Sequence, residues 1–100
     1  MKVELLYWDG CPSHAEALAL LEEVMAAKGV EATVELREIT SKAEAVEERL
    51  PGSPTIRVDG RDIDSVGANP RPALTCRLYY LPGGKVSPVL SREALEEALA

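Results

Sequence analysis

From Lys2 to Trp8 the chain is apolar on both faces of an extended strand, with Val3, Leu5 and Tyr7 on one side and Leu6 and Trp8 on the other. Such a strand belongs inside a sheet covered by helices. Asp9-Gly10 marks a turn. The period then changes. Leu18, Leu21 and Met25 fall on one stripe, flanked by Ala17, Leu20 and Val24, with Glu16, Glu22 and Glu23 opposite. This predicts an amphipathic helix that begins at Cys11 or Ser13 and runs to Lys28. Pro12 suits the first helical position, where its missing N–H is no loss, and that makes Cys11 the N-cap. Gly29 ends the helix. Val30 to Ile39 alternates, with Ala32, Val34 and Leu36 inward and Glu31, Thr33, Glu35 and Arg37 outward, as a strand near a sheet edge does. Strand, helix and strand of these lengths predict a parallel pair with a right-handed crossover.

Ser41-x-x-Glu44 is a capping-box signature. It opens a short helix through Ala43, Val46 and Leu50, stopped by Pro51-Gly52. Thr55 to Val58 reads as a strand that Ser53-Pro54 introduces. Asp59-Gly60 is a hairpin signal, so Arg61 to Ile63 returns antiparallel. Ser65 to Thr75 reads as loop, Cys76 to Leu81 as strand, and Pro82-Gly83-Gly84 as a turn. Ser91 caps a last helix through Leu95 and Leu99. The order is β-α-β-α-β-(β)-β-α, one domain over residues 1–100 with no repeat or low-complexity segment.

Composition adds constraints. A net charge of −6 argues against a nucleic-acid surface. The charge is uneven: five basic and eleven acidic residues in 1–50, six of each in 51–100. The start M-K-V-E-L-L-Y-W lacks the features of a secretory leader and no run reaches transmembrane length, which predicts a cytoplasmic protein with no membrane partner. The absence of Gln, a single Asn69, and many Glu, Arg and Pro suggest a thermophilic host.

The candidate chemistry sits in W-D-G-C-P-S-H, Trp8 to His14. A cysteine at a strand-to-helix junction lies where unpaired N–H groups and the helix dipole stabilise a thiolate, the reactive form. His14 is one turn along the same face. It can take the thiol proton or donate to a leaving sulfur, or it can pack with Leu18, Leu21 and Met25. Asp9 would disfavour a thiolate if it pointed inward; a turn role is the alternative. Tyr79 and Tyr80 alternate faces, which places one of them in the core.

The arrangement resembles the thioredoxin superfamily over nearly the whole chain. C-P-S-H after the first strand is similar to that family's C-x-x-C or C-x-x-S motif. Ser53-Pro54-Thr55 is similar to its cis-proline loop, and Gly83-Gly84 to the glycine pair of glutaredoxins. The whole also looks like small bacterial thioredoxin-like proteins sometimes labelled alkylmercury-lyase-like. The resemblance implies an α/β, three-layer fold with a central mixed sheet flanked by helices. It implies a thiol-disulfide oxidoreductase in which Cys11, with His14, is catalytic, while Trp8, Pro12, Ser53, Pro54 and Thr55 face the substrate. Protein or small-molecule disulfides would be the partners. No cofactor is implied beyond a low-molecular-weight thiol as co-substrate.

One departure matters. His14 stands where a dithiol enzyme has its second cysteine, so Cys11 would act alone or with a distant resolving group. Cys76 has three readings: a core cysteine, that resolving cysteine, or a soft-metal ligand with Cys11 and His14, although the spacing fits no recognised metal pattern. Two other functions stay open: a soft-metal or partner-binding module, and a redox-silent scaffold.

Overall fold

The computed structural model of the chain describes residues 1–63, 79–80, 85–87 and 89–99. The first strand, β1, is Val3–Tyr7, and the long helix α1 is Ser13–Lys28. They are followed by β2 (Val34–Glu38), α2 (Lys42–Glu47), β3 (Thr55–Val58) and β4 (Arg61–Asp62). Short strands β5 (Tyr79–Tyr80) and β6 (Val86–Ser87) precede α3 (Arg92–Ala98). The expected loop over 65–75, most of the strand expected over 76–81, and Gly83-Gly84 lie outside the described residues.

The main sheet runs β2-β1-β3-β4. β1 is interior, as its two apolar faces predict, and pairs parallel with β2 and antiparallel with β3. Asp59 and Gly60 both have positive φ, 52° and 81°, so β3 and β4 are joined by a type I′ turn. The N-terminus is clasped to that turn: Lys2 N–H donates to Asp59 Oδ1 at 2.8 Å and Asp59 N–H donates to the Lys2 carbonyl at 2.7 Å.

The two faces of β1 serve two cores. Val3 and Leu5 join Ile56 beneath Ala17, Leu21, Val24 and Met25 of α1 and Leu95 of α3. Leu6 points the other way and packs with Ile39, Ala45 and Leu50 around α2. Helices therefore cover both faces of a mixed sheet, which gives a three-layer α/β domain. Tyr79 is buried in the core. None of the described helices is long and apolar enough to cross a membrane.

The helix ends follow local chemistry. Gly29, at φ 68°, closes α1: its N–H donates to the Ala26 carbonyl and Val30 N–H to the Met25 carbonyl. α2 ends in the same way, but Arg49 holds the left-handed position at φ 54° and Leu50 N–H reaches the Ala45 carbonyl. The stop comes before Pro51-Gly52. Leu50, expected within the helix, is therefore core from outside it, and Val46 is 53% exposed. At the start of α2, Ser41 Oγ accepts from Glu44 N–H at 3.1 Å, and the Glu44 carboxylate accepts from Thr40 N–H. The capping box is thus shifted by one residue on its return side.

A second correction concerns β2. It is shorter than expected, and Leu36, read as inward, is 51% exposed. Its side chain is on the α1 face, where it lines an open groove with Leu18 and Met25 of α1 and stays half exposed. Across the other face, Arg37 binds Glu48 through both Nη atoms at 2.9 Å and lies 3.7 Å from the buried Glu4. Arg57 donates to the Glu48 carbonyl. This network spans the part of the sheet beside α2.

Candidate functional site

The turn from β1 to α1 is closed by Cys11 N–H donating to the Trp8 carbonyl at 3.0 Å, with Asp9 and Gly10 between them. Asp9 is exposed, so its carboxylate does not point inward. The indole of Trp8 lies across Gly10: a Cβ built there would sit 2.3 Å from the ring. Glycine is what allows the ring to lie flat on the turn. Pro12 has helical dihedrals, φ −74° and ψ −6°, and directly precedes the first hydrogen-bonded residue, Ser13. Pro12 is thus the N-cap, where Cys11 was expected, with the dihedrals of a first helical residue. Its side chain is exposed.

Cys11 is fully buried and disulfide-bonded. Cys76 is the other cysteine of the chain and lies outside the described residues. Cys11 Sγ is 3.6 Å from the Ser53 carbonyl oxygen. In the reduced state that geometry lets the thiol donate to the carbonyl. Ser53 is itself buried, and its peptide bond to Pro54 is cis. Its Oγ accepts from Trp8 N–H at 2.9 Å. The Pro54 carbonyl accepts from the Tyr79 hydroxyl, and the Thr55 hydroxyl donates to the Gly52 carbonyl at 2.6 Å. The loop before β3 is therefore tied to the turn before α1 through Ser53 and to Tyr79 through Pro54.

His14 is held by Tyr7 and by backbone. Its ring stacks on Tyr7, with centroids 4.3 Å apart at 18°, and its Nδ1 is 3.1 Å from the Cys11 carbonyl. A carbonyl only accepts, so Nδ1 carries the proton and Nε2 is the nitrogen left to exchange one. The packing and proton-transfer readings of His14 are both compatible with this placement.

Of the residues singled out in the sequence, Trp8, Cys11, Ser53 and Pro54 come together. Pro12 sits on the outer side of the same turn. Thr55 faces inward with its hydroxyl bonded to backbone. Sequence reasoning missed the Ser53 Oγ–Trp8 link and the part played by Tyr79. The only signal for the first was a serine before the proline; for the second it was a tyrosine at a buried strand position. Among the described residues no group of three or more His, Cys, Asp or Glu is placed to hold a metal ion. Compared with known proteins, the chain matches no family model, no curated protein and no solved structure.

Proposed function

We propose that this domain is thioredoxin-like and takes part in thiol-disulfide exchange through Cys11, with Cys76 as the second sulfur. The observation that carries the reading is a disulfide-bonded Cys11 at the start of α1, its sulfur 3.6 Å from the Ser53 carbonyl. The chain holds one other cysteine, so the pair takes over the work that the C-P-S-H motif alone would leave to an outside thiol.

A thiolate of a dithiol partner attacks the disulfide. One S–S bond breaks as a mixed disulfide forms, and one sulfur of this chain leaves as a thiolate. The second thiolate of that dithiol then displaces the other sulfur. Two electrons and two protons pass to this chain, and the former dithiol keeps the disulfide. Because Cys11 is fully buried, it is the sulfur that leaves in the first step. Its position before α1 favours the charge it acquires, since the first N–H groups of a helix have no intrahelical acceptor. Once Cys11 is protonated, the Ser53 carbonyl accepts its S–H.

The test is equilibration in thiol/disulfide buffers, with alkylation and mass spectrometry to count free thiols. The rate of reduction of a small disulfide is measured beside it. Expected are reversible interconversion in the native protein, turnover above that of the buffer thiol, a trapped mixed disulfide on Cys76 in Cys11→Ser, and no turnover in Cys76→Ser. Thiols that appear only in denaturant, with no rate gain, would overturn the reading.

The complete burial of Cys11 favours a second reading, in which the disulfide is a staple in a redox-silent interaction module. It predicts that reduction lowers stability by about 2–4 kcal/mol without accelerating exchange. A soft-metal site gains less support, because an oxidised Cys11 has no thiolate to offer.

A further inference from the structure

β2 is the outer strand of the sheet among the described residues, and its central Leu36 is 51% exposed. Ile39 N–H donates inward, to the Tyr7 carbonyl of β1. Backbone groups alternate along a strand, so those of Glu35 and Arg37 face β1 as well, and those of Val34, Leu36 and Glu38 face away. The outer edge thus offers N–H and C=O groups at alternate residues, a template for another strand.

Beside that edge, on the α1 face, is a groove of about 460 Å³ lined by Leu18, Met25, Val30, Ala32, Val34 and Leu36. Edge strands are commonly guarded by charge. Here Glu35 and Arg37 flank Leu36 with opposite signs, an arrangement complementary to itself when reversed.

We propose that two copies of this chain associate by antiparallel pairing of β2 with β2, Leu36 opposite Leu36 on the two-fold axis. The backbone directions permit three nearby registers. Centring on residue 35 sets Glu35 against Glu35, and centring on residue 37 sets Arg37 against Arg37 and Leu36 against Glu38. Only the register centred on Leu36 places each Glu35 opposite Arg37 of the second copy. Those two residues then occupy the non-hydrogen-bonded positions, where opposing side chains come closest. Leu36, Val34 and Glu38 exchange the backbone bonds. The two Leu36 side chains meet on the α1 face, where each extends the apolar wall of the other copy's groove. The sheets join into one of eight strands.

Sedimentation equilibrium of the full chain up to millimolar concentration tests this, with hydrogen exchange read residue by residue at low and high concentration. The expected average mass rises from 10.8 kDa toward twice that value. The amides of Val34, Leu36 and Glu38 gain protection with concentration, while those of Glu35 and Arg37 do not change. Glu35→Arg weakens association at least about tenfold, equivalent to about 1.4 kcal/mol. Leu36→Glu leaves a monomer, and circular dichroism shows both variants folded. A monomer at every concentration overturns the proposal. So does a dimer indifferent to both substitutions, or one that protects a different set of amides.

Discussion

The backbone N–H of Trp8 donates to Ser53 Oγ at 2.9 Å across 45 residues of sequence. This bond ties the turn that carries Cys11 to the loop whose carbonyl lies against the Cys11 sulfur. Ser53 is fully buried, so no water replaces its oxygen when it is removed. Ser53→Ala leaves the Trp8 N–H without its acceptor and lowers stability by about 1–3 kcal/mol. Urea unfolding shows this as a lower midpoint with an unchanged slope.

Gly10→Ala tests the packing of Trp8 on the turn. The added methyl overlaps the ring at 2.3 Å, so the indole must swing outward. The expected loss is about 1–3 kcal/mol, as for other overpacked sites. Trp8 is the only tryptophan in the chain, so a red shift of its emission in the native variant reports the movement directly.

Arg49→Gly should act in the opposite direction. Arg49 holds φ at 54° to end α2, a conformation that crowds any Cβ. Glycine there relieves about 1 kcal/mol, less what its greater freedom in the unfolded chain returns. A small rise in thermal midpoint is the expected result; a fall would show that Arg49 contributes more through its side chain than its backbone conformation costs.

The bidentate bond from Arg37 holds the Glu48 carboxyl below the usual carboxylate range against an opposing desolvation cost, and the nearby positive charges of Arg37 and Arg57 add smaller effects in the direction of the bond. The folded state therefore favours ionised Glu48. Its contribution is full above the unfolded carboxylate value of about 4.3 and is lost as pH falls through the lower folded value. Arg37 is 35% exposed, so screening limits the pair to about 1 kcal/mol at neutral pH. Glu48→Gln should lower stability near neutrality by that amount and converge with the unmodified protein in acid. Denaturant midpoints measured across pH check both ends of that comparison.

Much of the fold was legible in residue patterns. Two apolar faces over Val3 to Trp8 require an interior strand, and Asp59-Gly60 accepts the two positive φ values of a tight hairpin. Gly29 and Ser91 mark helix ends by local chemistry alone. Leu36 was not legible, because alternation identifies a face without saying what covers it. Leu50 was placed inside α2 for a related reason: a left-handed arginine ends that helix early, and no composition signal announces one. At the candidate site, residue types pointed to Cys11, and the family resemblance to Trp8, Ser53 and Pro54. The contact of the sulfur with the Ser53 carbonyl depends on how two distant loops meet, and the turning of His14 toward the Cys11 carbonyl is a rotamer choice that residue types do not announce.

The interior position of β1 sets an order of events during synthesis. Val3–Tyr7 leaves the ribosome before either of its neighbours exists. Its antiparallel partner, Thr55–Val58, follows about fifty residues later, which at about 5–20 residues per second is several seconds. Through that interval the most apolar strand of the chain has no native sheet on its β3 side. The nascent chain therefore presents Val3, Leu5 and Leu6 to whatever first reaches them, and the interval closes only when the hairpin at Asp59-Gly60 folds back and clasps Lys2.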